Sequence, residues 1–212
     1  RFRFCPIREG ESVPLPPDWS FVVGVSGVLA EKTGSALELY NVASLRTREI
    51  VAAWNSATGS EDLTIGDVLA SDDDALEGLH AVVAHDPDLS RRLKAFLTES
   101  QELIPAAVEA LADGNLDGFG QLADRSQRNA ETRLGNQVPE TIRMQALARE
   151  LGARGASSFG AGFGGSVWAL VPSSDAAGFA AAWLERYTAE FPALAPRASV
   201  LVTRPGAPAH RL

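Results

Sequence analysis

One cysteine, Cys5, and one methionine, Met144, are the only sulfur-bearing residues in this chain of 212. A lone thiol cannot close an internal disulfide, and three histidines without a Cys/His cluster supply no ligand set for structural zinc, so the composition reads as cytoplasmic and metal-free. There is no stretch of about eighteen consecutive apolar residues and no charged-then-apolar leader, so neither a membrane span nor a signal peptide is expected in these residues. No Lys/Arg block is present either. The formal net charge is -8, which argues against nucleic acid or an anionic membrane as partner. His80 and His85 sit in an acidic segment and His210 in a Pro/Ala tail, and all three read as solvent-facing. The only methionine is internal and the chain begins Arg1-Phe2-Arg3-Phe4, so these residues are expected to be part of a longer product.

What is abundant is apolar residues, at 45% of the chain, enough for a sizeable core. Phe2, Phe4 and Ile7 alternate in part with polar residues, and Ser12 to Leu15 follow a Glu9-Gly10-Glu11 turn, suggesting a short antiparallel ribbon. Trp19 to Ser26 reads as a buried strand. Apolar residues then recur at helical spacing from Ser35 to Ser56, closed by Thr58-Gly59-Ser60. Short helices are expected around Leu63 to Leu69 and Asp74 to Ala84, with the Asp72-Asp73-Asp74 run capping rather than binding metal. A long helix from Leu89 to Ala112 should bend at Pro105. Further helices follow from Asp117 to Asn129 and from Pro139 to Leu151. The last quarter reads as strand Ala156 to Phe159, strand Ser166 to Val171, helix Ser174 to Glu190 and strand Ala198 to Thr203. Together these predict an α+β fold, with helices on one face of a mostly antiparallel sheet. The strands around Phe21, Ala156, Val167 and Val200 should share that sheet, with the helices of Leu45, Leu103 and Leu184 nearby.

One stretch stands out from this pattern: Ser158-Phe159-Gly160-Ala161-Gly162-Phe163-Gly164-Gly165-Ser166. Glycine allows positive φ and lets a ligand approach the main chain. Gly160, Gly162 and Gly165 fit the spacing G-x-G-x-x-G, but that fingerprint works between a strand and a helix N-terminus, and here the loop opens into the β-forming Val167 to Val171. A plain hairpin connection is the second reading, although two residues suffice for a hairpin. The third is the wall of a phosphotransferase active site.

Residues 156–166 resemble the third motif of the galactokinase family, S-R-M-T-G-A/G-G-F-G-G-C, within the galactose/homoserine/mevalonate/phosphomevalonate (GHMP) kinase superfamily. Arg125 to Asn129 followed by Val138-Pro139-Glu140-Thr141 is similar to the family's E-S-H-x-S-L-R-D…C-P-E-L-D. Val200 to Gly206 is similar to its terminal strand with an Arg-Pro exit. Tyr40 stands where galactokinases place a tyrosine against the sugar. Gln127 replaces the family histidine, and Val138 and Ser166 replace cysteines; the phosphate-wrapping P-x-G-x-G-L-x-S-S motif is absent.

The resemblance implies the C-terminal domain of a GHMP kinase over residues 19–212, a ferredoxin-like sheet with a helical insertion, preceded by a ribbon, residues 1–18, left from an upstream domain. It implies an ATP-dependent kinase that phosphorylates the anomeric hydroxyl of galactose or a related hexose. Tyr40, Asn41, Gly160, Gly162, Gly164 and Gly165 would face the sugar, and Lys32 and Ser26 the nucleotide. No catalytic residue is expected in this chain. ATP and Mg2+ would be held mainly by an N-terminal half, its partner within the same protein, without which the fragment is inactive. A non-catalytic sugar and ATP sensor is the alternative.

Overall fold

The computed structural model describes residues 2–3, 8–10, 12–30, 35–71 and 74–206. The chain divides into two compact units. One draws on the described residues within 1–12, 31–105 and 128–136, and the other on those within 13–30, 106–127 and 137–212. Residues 13–18 therefore pack with the sheet unit rather than with the ribbon.

The ribbon consists of β1 (Phe2–Arg3) and β2 (Arg8–Glu9), antiparallel with Phe2 opposite Glu9. It turns earlier than the Glu9-Gly10-Glu11 signal suggests, and Phe4 and Ile7 lie outside the described residues. The first unit is otherwise helical: α1 (Ser35–Thr58), α2 (Ile65–Ser71), α3 (Ala75–Val82) and α4 (Pro87–Leu97). Their apolar stripes close on one another through Ile50, Trp54, Val68, Leu79 and Leu93. Gly78 is required at the crossing of α1 and α3, where a Cβ would sit 2.4 Å from the Trp54 ring. Helix α4 starts where its sequence demands, with Pro87 in the first turn and the Asp86 carboxylate accepting from the N–H groups of Asp88 and Leu89. Asp74 occupies the corresponding position of α3 but makes no side-chain capping bond, so the expected capping role is not realised there. Asp72 and Asp73 lie outside the described residues. His80 and His85 are exposed as expected, and His210 is not described.

The bend expected at Pro105 takes the form of a wide π-helical turn, Thr98–Leu103, directly before α5 (Ile104–Ala112). Proline has no N–H to donate and its ring crowds the preceding turn, so the helix loosens upstream of it.

The second unit is built on an antiparallel four-stranded sheet of β3 (Trp19–Val25), β4 (Gly155–Ser158), β5 (Ser166–Pro172) and β6 (Ser199–Thr203), in the order β4-β5-β3-β6. With α7 (Pro139–Glu150) before β4 and α8 (Ala176–Glu190) before β6, the path is the ferredoxin-like β-α-β-β-α-β. Helix α6 (Leu116–Asn129) and the first unit's helices form the insertion after β3. The four strands expected to pair therefore do, and α8, which carries Leu184, covers the sheet. Leu45 and Leu103 instead belong to the first unit.

Register decides which residues meet the helices. Val22 lies opposite Ala169 and Val202, and Ala156 opposite Ala169, so these point to one face. That face packs on Met144, Leu147, Phe179, Trp183 and Tyr187 of α7 and α8. Trp183 is fully buried, and its indole N–H donates to the Met144 carbonyl at 2.9 Å. Its ring presses so closely on β3 that a Cβ at Gly24 would come within 2.9 Å of it. On the opposite face Trp168 meets Phe21 edge-on at 5.7 Å and Phe119 of α6 at 6.0 Å. Across the solvent side of α7 and α8, Arg143 bridges Glu150 and Glu190, and these bonds hold both carboxyls below their usual pKa. Among the described residues no helix is long and apolar enough to cross a membrane.

Candidate functional site

The glycine-rich stretch forms the connection between β4 and β5, with the Phe159 N–H donating to the Ser166 carbonyl at 2.9 Å across its base. Backbone conformation explains most of its composition. Gly160 (φ 66°), Gly162 (85°), Gly164 (125°) and Gly165 (84°) all adopt left-handed conformations that L side chains rarely take. Phe163, between them, also has a positive φ, 58°. A bulky residue there is strained by about 1–3 kcal/mol, and such strain persists only where the surroundings enforce it, commonly at functional sites. Gly164 is constrained twice, because a Cβ there would lie 2.9 Å from both the carbonyl oxygen and Cγ1 of Val28. At Gly160 a Cβ would meet nothing within 4 Å, so the outer part of the loop borders open space.

Both ends of the loop are held from outside. At the β5 end the Gly165 N–H donates to the Val28 carbonyl at 2.9 Å. The Ser26 N–H and hydroxyl donate to the Gly165 carbonyl at 2.9 and 2.7 Å. The same hydroxyl accepts from the Val28 N–H at 3.2 Å, and Ser26 is fully buried. Beneath it the Tyr187 hydroxyl donates to the Ser26 carbonyl at 2.8 Å. At the β4 end the Oε1 of Gln127 accepts from Ser157 Oγ, Ser158 N–H and Ser158 Oγ at 3.1, 2.9 and 3.1 Å. Gln127 is 2% exposed, so these bonds are shielded from competing water.

Tyr187 makes this support pH-dependent. Burial, reinforced by the negative charge of Glu140, pushes its phenol up to about 12. The neutral form is thus favoured by folding, and an unfolded tyrosine ionises near pH 10. The associated stability is complete below about pH 10 and is lost as pH rises through about 12. Urea midpoints of wild type and Tyr187→Phe should therefore converge between about pH 10 and 12, after differing by about 1 kcal/mol at neutral pH for the missing hydrogen bond. Parallel curves through that range would contradict the assignment.

Of the residues expected to form a site, the structure brings together Ser26, Gly160, Gly162, Gly164 and Gly165. Asn41 lies exposed on α1 in the first unit, and Tyr40 precedes it on the same helix with its side chain not among those described. Lys32 lies outside the described residues. Sequence reasoning missed Val28, Tyr187 and the strained Phe163 as parts of the loop's setting. Gln127 was visible only as a departure from the family pattern. Among the described residues no group of three His, Cys, Asp or Glu converges to hold a metal ion.

Residues 107–189 match the family model of the GHMP kinases C-terminal domain. A galactokinase of Mycobacterium tuberculosis H37Rv is 35% identical over 115 residues, which cover 54% of this chain and 31% of that protein. One from Thermococcus kodakarensis is 32% identical over 106 residues, 50% of this chain and 30% of that protein. The matched stretch is thus about a third of these relatives. In three dimensions the chain is similar to Lactococcus lactis galactokinase complexed with galactose, with a TM-score of 0.72 and 24% identity over 91% of this chain and 46% of that one. It also shares the fold of Leishmania major mevalonate kinase in complex with R-mevalonate, with a TM-score of 0.52 and 18% identity over 93% of this chain and 46% of that one. The ferredoxin-like sheet, the glycine loop between β4 and β5 and these matches agree: residues 107–189 match the C-terminal domain of the GHMP kinases, and the chain is similar there to galactokinases.

Proposed function

We propose that this chain is the C-terminal part of a cytoplasmic, ATP-dependent sugar kinase that phosphorylates the anomeric hydroxyl of galactose or a related hexose. The observation that carries the proposal is the strained, doubly anchored glycine loop between β4 and β5. A loop held by Ser26 and Val28 at one end and by Gln127 at the other presents main chain, not side chains, to whatever lies against it. A pre-set backbone suits phosphoryl transfer, where catalysis is mainly positioning and charge stabilisation rather than covalent work by the protein.

In this reading Gly160, Gly162, Gly164 and Gly165 face the sugar, and Tyr40 and Asn41 are assigned to the same ligand by their place in the galactokinase pattern. The tyrosine ring would stack on a C–H face of the sugar and its hydroxyl would bond a sugar oxygen. Lys32 would neutralise phosphate as a point charge. Ser26 acts through the loop, since its buried hydroxyl is already bonded to Gly165 and Val28. ATP, with Mg2+, supplies the phosphoryl group. Both would be gripped mainly by an N-terminal half of the same protein. A non-catalytic sugar and ATP sensor uses the same loop and differs only in lacking turnover.

Titrating sugar and ATP into the full-length protein tests the Tyr40 assignment. Tyr40→Phe should lose about 0.5–1.5 kcal/mol of sugar binding for one neutral hydrogen bond, and Tyr40→Ala more through the missing ring, with ATP affinity little changed. Equal losses for both ligands, tracking a lowered melting temperature, would make Tyr40 a core residue instead.

A further inference from the structure

We infer that the chain forms a two-fold homodimer through the outer edge of β6, which joins two four-stranded sheets into one of eight. The inference is independent of the kinase reading and starts from hydrogen-bond direction. Because the Ser26 N–H bonds the Gly165 carbonyl, the neighbouring pair Val25 and Ser166 is a non-hydrogen-bonded pair of the β3–β5 ladder. The N–H and C=O of Val25 therefore turn the other way, toward β6, where Val25 lies opposite Ser199. By alternation Ser199, Leu201 and Thr203 bond back to β3, while the N–H and C=O groups of Val200 and Val202 point outward from the sheet. β6 is the outermost strand, and no described strand pairs with its free side.

That edge lacks the usual guards. Natural edge strands carry lysine, proline or a bulge that discourages pairing, whereas Ser199-Val200-Leu201-Val202-Thr203 has neither charge nor proline. Leu201 and Val202 are 50% and 47% exposed. The nearest charge after the strand, Arg204, is turned back to the Pro17 carbonyl of its own chain and leaves the edge clear.

The occupant is a second copy, because the strand is complementary to itself. Paired antiparallel about Leu201, Leu201 meets the partner's Leu201, Val200 meets the partner's Val202, and Ser199 meets the partner's Thr203. The outward groups of Val200 and Val202 then make four reciprocal backbone bonds, with Leu201 at a non-hydrogen-bonded position where side chains approach closely. Helix α8 offers a second surface. It lies over β3 and β6, while α7 lies over β4 and β5. The side of α8 toward α7 carries Arg186 and Glu190, bonded to Glu150 and Arg143. The opposite flank, at helical spacing, carries Ala177, Ala181, Leu184 and Thr188, with no charge. With strands about 4.8 Å apart, two-fold pairing at β6 brings the two α8 helices to about 10 Å, the separation of packed helices.

Sedimentation velocity of the 212-residue chain, with a cysteine scan in a Cys5→Ser background, tests this. The expected result is a dimer in which Leu201→Cys oxidises to a covalent dimer, because its two copies face one another at a separation a disulfide spans. Val200→Cys and Val202→Cys, each offset from its own copy, should not cross-link. Val202→Pro, which removes an outward N–H and leaves the ladder to β3 intact, should sediment as a monomer that still unfolds cooperatively, with a melting temperature no longer dependent on protein concentration. A monomer at the highest soluble concentration, or equal cross-linking at all three cysteine positions, would overturn the inference. So would a dimer that survives Val202→Pro. Should that variant fail to fold, the contrast between Leu201→Cys and Val202→Cys decides alone.

Discussion

Gly120→Ala is expected to unfold the sheet unit. Gly120 lies on α6 where the helix backs onto the start of β4, and a Cβ there would sit 1.7 Å from the Arg154 carbonyl oxygen and 2.8 Å from its carbon. Both are backbone atoms, which cannot swing aside as a side chain can. Arg154 is fixed from several directions. Its N–H donates to the Leu170 carbonyl, its carbonyl accepts from Arg149, and its guanidinium lies over the Trp19 ring at 5.6 Å. The approach is mutual, since a Cβ on Gly155 would come within 3.1 Å of the Gly120 Cα. An added methylene in a packed core ordinarily costs about 1–3 kcal/mol. Here the helix would have to leave the strand, breaking the contact of Phe119 with Trp168 as well. A loss of about 4 kcal/mol or more is expected, a large share of the roughly 5–15 kcal/mol that holds a domain folded. For a chain of this length that lowers the melting temperature by at least about 8 °C. Calorimetry of wild type and variant measures it, and a shift of only a degree or two would mean that α6 does not sit against β4 in this way.

The sheet was readable in the sequence because its strands are short apolar runs punctuated by glycine and proline, and each expected strand is present within a residue or two. Register was not readable, since it depends on pairs far apart in sequence such as Val22 with Ala169. The division into units was also hidden. The chain passes from one unit to the other repeatedly, as at Gln127 and Arg128 within a single helix, and helical periodicity continues unbroken across that point. The ribbon's turn was misplaced because Glu9-Gly10-Glu11 is a strong local signal that pairing of β1 with β2 overrides.

At the candidate site four glycines marked the loop, and their positive φ angles are the reason for them. The left-handed Phe163 carried no such mark, because phenylalanine is not chosen for that conformation. Gln127 read as a substitution in a family pattern, and its function as an acceptor for Ser157 and Ser158 became visible only when residues about thirty positions apart were brought together. Ser26 was expected to face a nucleotide by resemblance, and its hydroxyl is instead part of the clamp on Gly165.

Gly164→Ala carries the second large expectation, this time on activity. Its φ of 125° suits only glycine, and the new Cβ would meet Val28 at 2.9 Å on two atoms. The loop must shift or Val28 must yield, and Val28 is itself bonded to Gly165 and Ser26. Fold stability should fall by only about 1–3 kcal/mol, the usual cost of a strained backbone residue. The effect on catalysis should be larger, because displacing a positioning element by about 1 Å costs roughly a hundredfold in rate. A loop that merely connects two strands would show the stability loss without the rate loss.

The direct measurement is phosphorus NMR of the full-length protein incubated with ATP and galactose, for wild type and Gly164→Ala. A hexose phosphorylated at its anomeric oxygen should accumulate with wild type and form about a hundred times more slowly with the variant, while both remain folded. Wild-type protein that binds galactose and ATP yet yields no sugar phosphate, from galactose or any related hexose, would contradict the kinase assignment.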